Sequence, residues 1–99
     1  MKVRIEPAAL AEAEEARDWY EAVREGLGAE FLDAFDRGVR QVVDFPNAWH
    51  PISRRARRYR LGRFPYGIVY QVRAAEILII AVSHLHRRGT YWHKRLKPE

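Results

Sequence analysis

The chain has 99 residues, of which 47% are hydrophobic, and it contains no cysteine. This length predicts a single domain over residues 1–99, and the apolar fraction is typical of a folded globular protein. The lack of cysteine excludes disulfides, thiolate metal sites and cysteine nucleophiles, which suits a reducing compartment. No apolar targeting segment and no run long enough to cross a bilayer is visible, so we expect a cytoplasmic protein with no membrane partner.

The charge is divided unevenly between the two halves of the chain. Residues 1–50 carry six Lys or Arg and eleven Asp or Glu, a balance of −5, whereas residues 51–99 carry twelve and two, a balance of +10. The net charge of +5 is the sum of these opposed halves. A half with so large an excess of one sign predicts a polyanionic partner, although a solvated basic surface is the simpler alternative.

The first half predicts one strand and two helices. Polar and apolar residues alternate over residues 2–6, the period of a half-buried strand, and Pro7 suits the first turn of a helix. Helices are predicted over residues 8–25, with Gly26 as the C-terminal cap, and over residues 29–45. The first helix has an apolar stripe of Ala9, Ala13, Ala16, Tyr20 and Val23, and the second has one of Phe31, Phe35, Val39, Val42 and Val43. Trp19 is expected to pack with Tyr20 in the interior.

The second half predicts strands after a loop over residues 46–56. Residues 58–61 alternate, and the β-branched runs 68–72 and 77–82 form a predicted hairpin. The final segment, 87–97, is basic and predicts a tail or a short helix.

This order predicts an α+β fold. We expect an N-terminal strand, an antiparallel helix hairpin and a three-stranded antiparallel meander, with the helices packed on one face of the sheet. The other face would carry the basic residues.

Several local signatures occur in a defined order along the whole chain. They are Trp19–Tyr20, residues 26–31, Phe45–Pro46, residues 60–66, residues 68–72, residues 81–84, Arg87, Tyr91–Trp92 and Arg95. No single piece is specific, but the ordered set in a chain of this length resembles the RelE/ParE superfamily of toxins from type II toxin–antitoxin systems. The histidine at position 84 and the Tyr-Trp pair look more like the ParE-type, plasmid-stabilisation branch.

The resemblance implies a protein that arrests growth and is neutralised by a tightly bound cognate antitoxin. RelE-like members are ribosome-dependent mRNA endonucleases, whereas ParE-like members inhibit DNA gyrase. On charge, we expect the antitoxin to present an acidic helical segment to the basic half of the chain. The resemblance implies no cofactor.

Metal-independent RNA cleavage needs a base, an acid and cations that stabilise the phosphate in the transition state. The residues that match these roles, by position in the family or by chemistry, are Arg58, Arg60, His84, Arg87 and Tyr91. RelE-like nucleases also place arginine where this chain has Gly67 and Leu85. These two departures favour the ParE-like interpretation over an enzyme.

Further basic and aromatic residues are candidates for binding nucleic acid or a partner. They are Arg54, Arg55, Arg57, Arg63, Arg88, Trp92, Lys94 and Arg95. The dense arginine run could instead be a solvated edge that prevents strand aggregation. His84 and His86 could share a face, but with no carboxylate or cysteine nearby in the sequence we expect no metal site.

Three hypotheses follow from the sequence. The favoured one is a toxin that binds and inhibits gyrase, with the basic segment 87–97 as the contact element. The second is a ribosome-dependent mRNA interferase. The third is a non-toxic basic domain of the same fold that binds RNA or a protein.

Overall fold

The computed structural model describes residues 1–86 and 91–98. In chain order the elements are β1 (Lys2–Ile5), α1 (Pro7–Val23), α2 (Leu27–Asp44), β2 (His50–Pro51), β3 (Arg57–Arg60), β4 (Tyr66–Val72) and β5 (Glu76–His84). A 3₁₀ turn over His93–Arg95 follows. This order confirms the predicted α+β fold, in which a helix hairpin precedes an antiparallel meander.

The strands form one mixed sheet in the order β1-β5-β4-β3-β2. The meander β3–β4–β5 is antiparallel as predicted, and β1 pairs in parallel with β5. A parallel pair needs a long connection, and here the helix hairpin and strands β2, β3 and β4 all lie between β1 and β5 in the chain. Strand β2 has only two residues and lies within the predicted loop 46–56, where a pattern this short gives no periodic signal.

The connection between the helices differs from the prediction. Helix α1 ends at Val23, and Gly26 lies directly before α2 with a left-handed φ of 87° rather than capping α1. The Glu21 carboxylate accepts hydrogen bonds from the backbone N–H groups of Gly26, at 3.0 and 3.1 Å, and Gly28, at 3.0 Å. A side chain of α1 therefore satisfies donors at the N-terminus of α2, where a negative charge is also favourable.

The main core lies between the helices and the sheet. Helix α1 contributes Ala9, Ala13 and Ala16, all buried, and these small side chains allow it to approach β5 closely. Two residues predicted in the same interior are instead exposed: Val23 at 59% and Trp19 at 62%. Both lie in the C-terminal half of α1, after the buried alanines.

Four aromatic rings fix the β3–β4 turn to the helices. Tyr20 stacks on Phe31 with centroids 5.4 Å apart, and Phe64 packs edge-on against both at 4.8 and 5.3 Å. Tyr66 completes the cluster, 5.3 Å from Phe31. This cluster sets the position of the first residues of β4, where the candidate site lies.

The second face of the sheet is not simply a basic surface. It carries a smaller core that includes Ala56, Val69, Leu78, Ile80, Ala81 and Trp92. The C-terminal segment folds back over this face, and a reciprocal pair of hydrogen bonds joins Lys97 to the buried Gln71 side chain. The predicted tail is therefore a docked segment. Its apolar residues are buried against the sheet, which its basic composition does not suggest.

No helix within the described ranges combines the length and the apolar character needed to cross a membrane.

Two glycines in α2 offer a matched test of helix packing. A Cβ on Gly28 would lie 2.8 Å from the backbone oxygen of Arg17, whereas the three atoms nearest to a Cβ on Gly38 all belong to side chains, those of Ile68, Leu61 and Tyr59, at 2.8–3.0 Å. Each Gly→Ala change gains about 1 kcal/mol of helix propensity. We expect Gly28→Ala to lose about 1–3 kcal/mol in urea unfolding because helix backbone cannot move aside. Gly38→Ala should lose less, and equal losses would contradict this account.

Candidate functional site

The two predicted catalytic arginines of β3 share one face of the sheet. Arg58 lies opposite Val69 and Arg60 lies opposite Gly67 in the β3–β4 register. Val69 belongs to the core on the side away from the helices, so both guanidinium groups stand on that side. We call this pair the arginine face.

Gly67 stands where the resemblance to RelE-like nucleases would place an arginine, and its surroundings leave little space for a side chain. A Cβ at this position would lie 2.7 Å from Cδ and 2.8 Å from Cγ of Arg58, and 3.3 Å from Cδ2 of Leu85. The stem of Arg58 and the side chain of Leu85 therefore fill the space above Gly67. An arginine there would require Arg58 to move, so the two departures from the nuclease pattern belong to one packing arrangement.

His84 lies on the opposite face from the arginines. It pairs with Tyr66 in the β4–β5 register, and the two rings pack edge-on with centroids 5.0 Å apart. Tyr66 packs in the helix-side core, so the imidazole of His84 faces the helices. The sheet separates His84 from Arg58 and Arg60, so this geometry does not bring the three predicted residues together.

The Nδ1 atom of His84 already has a partner. It accepts a hydrogen bond from the backbone N–H of His86 at 3.1 Å. A neutral ring in this arrangement carries its proton on Nε2. The two imidazole centroids are 5.3 Å apart, and residues 1–86 and 91–98 contain no group of three metal-binding side chains.

Tyr91 and Trp92 serve to dock the C-terminal segment. Trp92 is buried in the second core, so its indole is not available to a partner at the surface. The Tyr91 hydroxyl is also buried, with Ser83 and Glu12 beside it, and burial raises the pKa of the phenol above its usual value.

Arg95 forms a bidentate ion pair with Glu12 on α1. The Nη1–Oε1 and Nη2–Oε2 distances are 3.0 and 3.2 Å, and Nη1 also donates to the carbonyl of Ile80 at 2.9 Å. The same Oε1 accepts from the backbone N–H of Val82 at 3.0 Å. Glu12 and Arg95 therefore form hydrogen bonds with the backbone of β5 beyond Ile79, where β5 no longer pairs with β1. Arg95, predicted as a partner contact, is thus engaged within the chain.

The other predicted contact residues have varied environments. Arg63 pairs with Glu30 at 2.6 Å and stacks on Phe64, and Lys94 is exposed. Glu30 also pairs with Arg24, and the hydrogen bond from Arg63 is the largest cause of its lowered pKa. The predicted residues Arg87 and Arg88 lie outside the described residues.

Three predicted arginines, which lie just before β3 or at its first residue, line a cleft at the far end of the sheet. Arg54 is exposed, while Arg55 donates to the carbonyl of Lys97 at 3.0 Å and Arg57 donates to that of Trp49 at 2.7 Å. The cleft has a volume of about 790 Å³ and also includes Arg73. The structure therefore places these residues together, but away from Arg60 and Gly67.

Sequence reasoning missed a second cleft, which we call the Trp19 groove. It has a volume of about 470 Å³ and lies between the C-terminal half of α1 and the end of β5. Its lining includes Glu12, Glu15, Trp19, Tyr20, Tyr66 and His84. The signal in the sequence was the large aromatic residue at position 19, next to the apolar stripe of α1 rather than on it.

Comparisons with known proteins agree with this architecture. A family model described as the ParE toxin of the type II toxin–antitoxin system parDE matches residues 3–89. No curated protein sequence matches the chain. A solved structure described as the chromosomal ParDE TA system from P. aeruginosa is similar, with a TM-score of 0.68 and 20% identity over 87% of this chain and 97% of that one.

The helix hairpin packs on one face of a mixed sheet in which β1 is parallel to β5, and this α+β fold is similar to that of the solved ParDE structure. Because the family model spans most of the sequence, the chain belongs to the ParE toxin family of type II toxin–antitoxin systems. The resemblance drawn from the sequence, with its preference for the ParE-like branch, is confirmed.

The Glu12–Arg95 pair can be tested against a neighbour in the same 3₁₀ turn. Arg95→Met leaves a mostly buried carboxylate without its partner, so we expect a loss of about 1–3 kcal/mol of unfolding free energy. Hydrogen exchange at the amide of Val82 should also accelerate. Lys94→Met removes an exposed charge from the same turn and should change neither measurement. Similar losses in both variants would show that the ion pair does not hold the segment.

Proposed function

We propose that this protein is the toxin of a toxin–antitoxin module that arrests growth by binding and inhibiting DNA gyrase. The observation that carries the proposal is the division of the candidate nuclease groups by the sheet. Arg58 and Arg60 stand on one face, while the imidazole of His84 stands on the other. A phosphate bound at the arginines would have no access to that imidazole, whereas an inhibitor that acts by binding needs no such convergence.

The packing at Gly67 supports the same proposal. General acid–base cleavage of RNA needs several cations around one phosphate. The position at which RelE-like nucleases add an arginine is filled here by the stem of Arg58 and by Leu85. The ribosome-dependent interferase is the alternative that an assay must separate from gyrase inhibition.

Parallel assays on the purified chain distinguish these activities. We expect inhibition of gyrase supercoiling, with no cuts in ribosome-bound message. Message cutting that disappears in Arg58→Ala/Arg60→Ala, and persists in Arg37→Ala/Arg40→Ala on the exposed side of α2, would instead establish the interferase. A folded protein with neither activity would support a basic binding domain of the same fold.

We further propose that a cognate antitoxin neutralises the protein by covering the arginine face and the Trp19 groove. Arg58 and Arg60 form no ion pair with a carboxylate of residues 1–86 or 91–98, so an acidic segment could neutralise them. Trp19, at 62% exposure, offers an apolar anchor of the kind that dominates interface energies. Both regions lie at the end of β4 that contains Tyr66 and Gly67.

Binding to the product of the neighbouring antitoxin gene tests this surface. We expect Arg58→Glu/Arg60→Glu and Trp19→Ala each to weaken the complex on the order of tenfold or more. The arginine variant should also reduce the dependence of the dissociation constant on salt, because it removes charge contacts. Arg37→Glu/Arg40→Glu makes the same charge change on α2 and should leave affinity nearly unchanged. Full affinity in both test variants would place the antitoxin elsewhere.

A further inference from the structure

The cleft at the end of the sheet, which we call the hairpin cleft, has no role in the proposed function. It lies between the segment that leads into β3 and the β4–β5 turn, and its volume is about 790 Å³. Four arginines line it: Arg54, Arg55, Arg57 and Arg73. Arg57 lies opposite Tyr70, whose ring packs in the helix-side core, so it stands on the other face of β3 from Arg58.

The positive charge of the hairpin cleft is not neutralised by the described part of the chain. None of the four guanidinium groups forms an ion pair with a carboxylate of residues 1–86 or 91–98. Glu76 is the one acidic residue in the lining that the structure describes, and Arg4 holds both of its oxygens at 2.9 and 3.2 Å. The hydrogen bond from Arg4 is the largest cause of the lowered pKa of Glu76, and the charge of Arg73 contributes a smaller effect in the same direction.

Two of the four guanidinium groups are held in place by backbone carbonyls. Arg55 Nη1 donates to the oxygen of Lys97 at 3.0 Å, and Arg57 Nη1 donates to that of Trp49 at 2.7 Å. A guanidinium group has five N–H donors, so each retains donors for a ligand after this bond. Fixing the side chains before binding lowers the entropic cost of binding.

The lining favours a phosphate ligand over an acidic helix. Small residues, Ala56, Ala74 and Ala75, lie between the arginines, and the described lining of the cleft contains no exposed aromatic ring. An amphipathic helix binds mainly through large apolar anchors, and in the described lining Val72, at 39% exposure, is the one large hydrophobic side chain that is exposed. A chain of phosphates needs only spaced donors, and the planar arginine fork matches phosphate oxygens in bidentate fashion.

We propose that the hairpin cleft binds the phosphodiester backbone of nucleic acid, independently of base sequence. Arg55 and Arg57 contact phosphates from fixed positions, and Arg54 and Arg73 contact the phosphates on either side. This site is separate from the arginine face and from the Trp19 groove. The proposal does not depend on gyrase inhibition, since a toxin that fails to bind nucleic acid through this cleft could still inhibit the enzyme.

Binding of the full-length chain to a fluorescein-labelled DNA duplex tests the proposal. Arg54 and Arg73 donate no side-chain hydrogen bond to the described part of the chain, so Arg54→Ala/Arg73→Ala should leave stability unchanged. We expect this variant to bind at least about tenfold more weakly at 100 mM salt, and the salt slope of log K to fall by about two units. The control is Arg37→Ala/Arg40→Ala, which removes the same charge from α2 and should bind like the wild type.

Two further probes distinguish phosphate recognition from general attraction to acid. Two duplexes of unrelated sequence should bind equally, and inorganic triphosphate should compete with them. Equal loss in the two double variants would overturn the proposal, because net charge alone would then explain binding. Polyglutamate of matched charge should bind more weakly than the duplex. If it binds as tightly, with the same dependence on Arg54 and Arg73, the proposal of phosphate recognition is also overturned.

Discussion

The carboxylate of Glu12 joins three parts of the molecule at one point. It stands on α1, accepts from the backbone of Val82 on β5, and holds Arg95 in the C-terminal segment. Pairing between β1 and β5 ends at Ile79 although β5 continues, so the backbone groups of β5 beyond this residue need other hydrogen-bond partners. Backbone N–H and C=O groups without hydrogen-bond partners on a strand edge cost free energy when they are buried. When they are exposed, they can pair with strands of other chains. One ion pair therefore completes the edge of β5 and fixes the segment that covers the second core.

This arrangement decides what the basic half of the chain can do. The C-terminal segment contributes Trp92 to the interior and places Tyr91 against the sheet, so both aromatics stabilise the fold. The arginines of β3 remain on the same face, while His84 is turned toward α1. A sheet has two faces and a fixed alternation, so one register decides which charged groups can act together. Here the register keeps the arginines and the imidazole apart.

The surface has three regions with different chemistry. The Trp19 groove is partly aromatic, the arginine face is charged and lies against Gly67, and the hairpin cleft has four arginines around small side chains. Proteins of this family belong to toxin–antitoxin systems. Separate surfaces for an antitoxin and for a target can exist on the same toxin. The separation of the hairpin cleft from the other two regions would allow it to be occupied while they are covered.

The sequence by itself determined the element order, the two helix stripes, the strands of the meander and the asymmetry of charge, because these depend on local periodicity and composition. It also indicated the family, and it showed that Gly67 and Leu85 stand where RelE-like nucleases are expected to have arginine. The tertiary structure alone decided that Trp19 is exposed, that Trp92 is buried and that Gly26 precedes α2 rather than ending α1. It also decided that His84 and Arg58 lie on opposite faces. Burial depends on packing between segments that are distant in the chain, and the face on which His84 lies depends on the bulge in β5 and its register with β4.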